Sequence, residues 1–232
     1  MEKKTKIVCT IGPASENPEM IKKLVNEGMN IARLNFSHGS YEEQGDRIKM
    51  VRNVSKELNK PIGILLDTKG PEIRLGNFEN GGVDFSEGDK VTIVNEDVLG
   101  TKEKFQIRCP ELFNDVKAGD YILMDDGKMR VDITDVVPGK EIQGVVANPH
   151  FLKSNKGCNV PGVILSMPFI SPKDEADIRF GAQNDVDYIA ASFVRRREDV
   201  LAIRKILIDE GKDRIQIIPK IENQEGFDNL RD

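Results

Sequence analysis

The sequence predicts an α/β protein with an all-β insertion, and three observations predict it. Five short apolar runs have the texture of strands covered on both faces. Helices with readable ends lie between or after them. About 95 surplus residues, helix-poor and rich in short β-type runs, separate the third apolar run from the fourth. With 232 residues, 38% of them hydrophobic, the chain can fill one large core or two smaller ones.

The strand-like runs cover residues 6–11, 30–34, 62–66, 187–191 and 216–218. Asn17 can cap a first helix, with Pro18 at its first position and Gly28 just past its end. Ser40 and Glu43 have the spacing of a capping box at the head of a long charged helix. Ser171-Pro172 opens a third helix, residues 196–210 form a fourth that stops at Gly211, and 224–231 begin a fifth. Strand and helix alternating in this way imply a parallel sheet or barrel. The strand starts are spaced by about 25, 31, 125 and 28 residues, where one β/α unit needs ~30.

The long interval holds β-type runs at 90–94, 105–108, 121–124, 129–134 and 142–147, and Asp125-Asp126-Gly127-Lys128 is a hairpin turn signal. Residues 72–167 therefore read as a small all-β domain inserted into a host made of 1–71 and 168–232. Five β/α units fit an open sheet, or a barrel that would need three more units. The first turn, Ile11-Gly12-Pro13-Ala14, lacks the glycine spacing of a dinucleotide site.

Composition narrows the function classes. Lys+Arg 34 against Asp+Glu 39 gives a net charge of −5, which argues against a surface built to coat nucleic acid but leaves room for a local cationic pocket. No apolar run approaches the ~20 residues of a membrane span, and the N-terminus does not read as a signal peptide. Cys9, Cys109 and Cys158 are odd in number and form no CxxC pair, as in reduced cytoplasmic proteins. The expectation is a soluble cytoplasmic protein without nucleic-acid or membrane partners.

Chemistry concentrates where strands end. Along Arg33-Leu34-Asn35-Phe36-Ser37-His38-Gly39, a period of two puts Arg33, Asn35 and Ser37 on one face. Buried polar groups there need hydrogen bonds or a ligand, although a strand running into a polar loop, with Arg33 in a structural ion pair, accounts for the pattern equally well. The third strand ends in Asp67-Thr68, which offers oxygen ligands to a hard cation, and leads to Arg74, a planar fork for phosphate. A turn cap at Asp67 and a domain boundary at Gly70-Pro71 is the plainer alternative. After the fifth strand, Lys220 and Glu222 share a face and can hold a metal-bound anion or form a surface ion pair. The loop Lys153-Ser154-Asn155-Lys156-Gly157 can touch phosphate or be solvated. Arg195-Arg196-Arg197 reads as a solvated helix start, Cys9 as core, and His150 carries no functional signal.

Taken together, Lys6–Pro13 (KIVCTIGP), Met29–Gly39 (MNIARLNFSHG), Leu65–Arg74 (LLDTKGPEIR), Asn155–Gly162 (NKGCNVPG) and Lys220–Gly226 (KIENQEG) closely resemble pyruvate kinase, in family order along the whole chain. The resemblance implies a TIM-type (β/α) barrel, incomplete in this chain, with an inserted small all-β barrel domain that closes as a lid. The implied reaction is phosphoryl transfer from phosphoenolpyruvate to ADP, giving pyruvate and ATP, in a full-length protein that is a cytoplasmic homotetramer. By the resemblance Lys220 is the catalytic cation, Glu222 binds Mg²⁺ (or Mn²⁺), and Arg33 contacts the phosphoenolpyruvate phosphate. Asn35, Ser37, Asp67 and Thr68 hold K⁺, and Asn35, Phe36, Ser37, His38, Arg74 and Lys156 face the nucleotide. Glu72 is the residue of K⁺-dependent members. The second Mg²⁺ carboxylate, the last three barrel units and the C-terminal regulatory domain of the family have no counterpart here, so the chain alone is expected to be inactive. Two other readings are a barrel lyase or aldolase acting on phosphoenolpyruvate or pyruvate, with Lys220 as a Schiff-base former, and a nucleotide-binding module without turnover.

Overall fold

The computed structural model describes residues 4–232. In chain order it runs through β1 (Ile7–Thr10), α1 (Pro18–Asn26), β2 (Met29–Asn35), α2 (Tyr41–Glu57) and β3 (Gly63–Asp67). There follow β4 (Ile73–Leu75), β5 (Gly82–Phe85), β6 (Lys90–Val94), β7 (Lys104–Arg108) and the short α3 (Leu112–Asp115). Next come β8 (Tyr121–Met124), β9 (Met129–Val137), β10 (Glu141–Val146), β11 (His150–Lys153) and β12 (Gly157–Asn159). The chain then returns to α/β elements: α4 (Pro172–Gln183), β13 (Tyr188–Ala191), α5 (Arg197–Asp209), β14 (Gln216–Pro219) and α6 (Gln224–Asp228). These elements divide into two compact units. One holds the residues up to Gly70 with Phe169–Glu222 and Asn229–Asp232; the other holds Pro71–Pro168 with Asn223–Asp228.

In the first unit five parallel strands form a sheet in the order β1-β2-β3-β13-β14. The helices start where their caps lie. Asn17 accepts the Met20 N–H ahead of Pro18, and Ser40 with Glu43 and Ser171 with Asp174 form reciprocal capping boxes. Leu34, Ile64, Leu66, Ile178, Ile189, Ile203 and Leu207 pack helices onto sheet. The expectation that all five strands are covered on both faces fails at β1 and β14, where Ile7, Val8 and Ile218 are exposed. Each of these strands has a single neighbour in the sheet, so fewer side chains cover it. The helix start at Arg195 also differs from expectation. Arg195 is buried, its guanidinium beside Asp199, whose carboxylate accepts the Arg195 and Arg196 N–H groups. The acid in the first turn neutralises the arginine and caps the helix together.

The second unit is a closed β-barrel in the order β10-β6-β7-β4-β12-β8-β9, beside a two-stranded antiparallel sheet of β5 and β11. All ladders are antiparallel except β6–β7. Phe78, Phe85 and Phe105 meet in its core with ring centroids 5.4–6.3 Å apart. Such aromatic clusters bury much apolar area per residue. β4, β5, β11 and β12 are absent from the runs read off the sequence, because three or four residues are too few to show alternation.

Candidate active site

Parallel strands put all their C-terminal ends on one side of a sheet, and register brings Asn35 opposite Asp67 and Asp67 opposite Ala190. Asp67 is only 3% exposed. Its Oδ2 accepts Arg33 Nε at 2.7 Å and lies 2.5 Å from Arg33 Nη2, while Oδ1 lies 2.9 Å from Lys220 Nζ. A carboxylate this buried needs such partners, and here two cations from different strand ends converge on it. Arg33 Nη1 also donates to Thr10 Oγ1 at 2.8 Å. The Ser192 hydroxyl donates to the Thr68 carbonyl at 2.5 Å and lies 3.3 Å from Asp67 Oδ1, and the Ser192 N–H donates to Thr68 Oγ1. Glu222 Oε1 stands 3.5 Å from Lys220 Nζ, and its Oε2 accepts the Phe193 N–H at 2.9 Å. Phe193 holds φ 56°, a left-handed conformation costly for an aromatic residue. Gly70, at φ 69°, lets the chain leave Thr68: a Cβ there would stand 2.6 Å from the Ser192 carbonyl oxygen.

The stretch after β2 turns sharply. Ser37 does not continue the strand face of Arg33 and Asn35 as the period of two predicts, because β2 ends at Asn35 and the Asn35 side chain accepts the Ser37 N–H. Gln44, 1% exposed, reaches back from α2 and donates to the Asn35 and His38 carbonyls at 3.0 and 2.8 Å. Lys173 Nζ donates to the Phe36 carbonyl at 2.9 Å and pairs with Asp177 at 2.6 Å. Asp177 also accepts the Tyr41 hydroxyl at 2.8 Å. Burial, aided by that bond, pushes the Tyr41 phenol up to about 12.

Arg74 and Lys156 lie in the β unit. Arg74 pairs with Glu72 at 2.6 Å and donates to the Asn155 carbonyl. Lys156 Nζ lies 2.9 Å from Asp125 Oδ1, while Asp125 Oδ2 is 2.9 Å from His150 Nε2 and 3.7 Å from Lys128 Nζ. Lys156 first, then His150, hold the Asp125 carboxyl down at about 2. His150, without signal in the sequence, is thus part of a charged cluster.

The family model "Pyruvate kinase, barrel domain" matches residues 2–232. The chain belongs to the pyruvate kinase family. Curated relatives include pyruvate kinases of Staphylococcus aureus: the strain MRSA252 protein is 54% identical over 231 residues, 99% of this chain and 39% of the relative. The strain USA300 protein is 54% identical over 229 residues, 98% of this chain and 39% of the relative. The chain therefore spans about two fifths of the length of these pyruvate kinases. Its α/β fold with an inserted β-barrel is the one expected from the sequence.

Fit to the family's metals can be judged from the donors present. Asn35 lies opposite Asp67 in the β2–β3 register and Thr68 follows Asp67, so hard oxygen donors of the kind that suits an alkali cation meet at these strand ends. Glu222 offers one carboxylate beside Lys220, and Mg²⁺ is commonly held by one or two carboxylates together with water and substrate phosphates, so the donor present fits that ion. Sequence reasoning missed Ser192, Gln44, Lys173, Asp125 and His150. The strand-end rule that singled out Asp67 would also have reached Ser192, one residue past β13. Gln44 lies only six and nine residues from the carbonyls it holds, while Lys173 reaches Phe36 and His150 and Lys156 reach Asp125 across long stretches of sequence.

Proposed function

We propose that this chain supplies the phosphoenolpyruvate and nucleotide contacts of a pyruvate kinase, which moves a phosphoryl group from phosphoenolpyruvate to ADP. The observation that carries the reading is the grip of buried Asp67 on both Arg33 and Lys220. Phosphoryl transfer is positioning plus stabilisation of charge on phosphate oxygens, so two cations fixed by one rigid acid suit it. In this reading Arg33 holds the phosphate of phosphoenolpyruvate, and Lys220, the catalytic residue, stabilises the group in transfer. Asp67 keeps both cations aimed and limits their conformational freedom. Asn35 to His38, Arg74 and Lys156 contact the nucleotide, with Gln44 and Lys173 pinning the 35–38 turn by its carbonyls. Asn35, Ser37, Asp67 and Thr68 would hold K⁺, which supplies fixed positive charge when bound. Glu222 would contribute one ligand to Mg²⁺ (or Mn²⁺), and no step is routed through that ion. Residues 72–167 are the nucleotide-facing insert of a catalytic domain that includes 1–71 and 168–232, and the setting is cytoplasmic, in keeping with three free thiols.

The test is Lys220→Met in the protein as cells make it. Coupled assay of pyruvate formation is expected to show kcat lowered by about 10³-fold, while the ADP dissociation constant changes little. Turnover within a few-fold of wild type would overturn the assignment.

A further inference from the structure

β12, β4 and β7 are neighbouring strands of the closed barrel, and their register aligns Gly157, Arg74 and Arg108 in one row. Ile73, Leu75 and Ile107 are buried, so alternation turns the exposed Arg74 and Arg108 outward side by side. Like charges directly opposite on paired strands destabilise a sheet. Arg74 is offset by Glu72, but Arg108 has no carboxylate partner among the described residues. One residue ties the two guanidiniums together. Asn155, at φ 60°, accepts Arg108 Nη1 on its side-chain oxygen at 2.8 Å and Arg74 Nη1 on its carbonyl oxygen at 2.6 Å. Lys156 follows it directly. Gly157 leaves the end of the row uncovered, since a Cβ there would meet nothing nearer than Glu72 Oε1 at 4.0 Å.

We infer that Arg108 is a second phosphate-binding guanidinium, forming with Arg74 a site for the diphosphate group of a nucleoside diphosphate. The inference rests on the reading that Arg74 and Lys156 face the nucleotide. Of the five N–H donors of Arg108 one is used within the protein, which leaves a planar fork for a phosphate next to the one Arg74 contacts. Two adjacent forks match two linked phosphates and exceed what a monophosphate can engage, so the site should prefer ADP to AMP.

Calorimetric titration of ADP, AMP and inorganic pyrophosphate into the chain, at fixed ionic strength, tests this with Arg108→Gln, Arg108→Lys and Arg74→Gln. Arg108→Gln is expected to weaken ADP and pyrophosphate about 10-fold and AMP less than about 2-fold, with Arg108→Lys between because an ammonium has no fork. Arg108 is exposed, so the urea midpoint serves as a check that the fold is kept. If Arg74→Gln weakens ADP and Arg108→Gln does not, the role of Arg108 is overturned and the nucleotide reading stands. If neither substitution alters ADP binding, the nucleotide reading of this face falls, and the inference with it. Equal losses for ADP and AMP would reduce Arg108 to general electrostatics and overturn the diphosphate site.

Discussion

Asp67 in the α/β unit and Asp125 in the β unit are both nearly inaccessible carboxylates ringed by cations, 3% and 6% exposed, yet they are held by different means. Asp67 is the last residue of β3, between β2 and β13, and the parallel ladder fixes its direction before any side chain contributes. Asp125 stands in a hairpin turn at φ 50°, followed by Asp126 at 58° and Gly127 at 79°. Its backbone conformation is one that side-chain residues adopt at a cost. A ladder places a charge by main-chain hydrogen bonds on both sides of its strand. The turn instead holds Asp125 by its N–H to the Gly157 carbonyl, by the Lys128 N–H to its own carbonyl and by the ion pairs around its side chain. The first arrangement suits a site that must stay rigid, the second one that responds to its solution.

The largest expected effect lies at Asp67. Asp67→Ala removes the acceptor of two cations, leaving Arg33 without its carboxylate and Lys220 with the more distant Glu222, so urea unfolding is expected to show a loss of about 3 kcal/mol. Asp125→Asn keeps the shape of the turn, and its partners Lys156 and Lys128 are 38% and 59% exposed and can rehydrate. Its loss is expected at about 1 kcal/mol. Equal losses at the two positions would mean that the ladder contributes no more to holding a buried charge than a strained turn does.

The same contrast governs what was legible. The apolar runs that became β2, β3 and β13 announce themselves because each is buried by its own residues, and the strand-end position of Asp67 follows from them. Its partners did not follow: Lys220 lies 153 positions further on, by subtraction of the residue numbers, and only the parallel order β3-β13-β14 brings it close. In the β unit the Asp125–Lys128 segment reads as a turn, which it is, since Met124 pairs with Met129 across it. That the Asp125 side chain folds inward, and that His150 and Lys156 come to meet it, depends on β11 and β12, whose four and three residues are too short to read. Pairing in the barrel, rather than propensity, makes those strands.

Acid separates the two units next. A depressed carboxyl contributes stability that is present above its ordinary value and lost as pH falls through the folded one. For Asp125 the window lies between the ordinary 3.8 and about 2. The stability gap between wild type and Asp125→Asn, read from urea midpoints, is therefore expected to be full at about pH 5 and to close progressively toward about pH 2. A gap constant across that range would show that the Lys156 and His150 contacts do not favour the charged carboxylate.

The smallest effect sharpens the comparison from the alkaline side. Asp177 is a third buried acid, inaccessible to solvent, and it is shared between one cation, Lys173, and a neutral phenol, Tyr41. Burial and the bond to Asp177 raise the Tyr41 phenol from 10.0 to about 12. The folded state thus keeps this proton longer than the unfolded one. The contribution is full below about pH 10 and lost as pH rises toward about 12, the mirror image of Asp125. Ultraviolet titration of tyrosinate should show one of the three tyrosines ionising last, and Tyr41→Phe should remove that step. The Phe variant keeps the ring stacked on Phe180, 4.9 Å between centroids, so its stability deficit at neutral pH should stay near 1 kcal/mol, the worth of one hydrogen bond from a residue that is itself 43% exposed. A last-ionising step that survives Tyr41→Phe would place the raised phenol elsewhere.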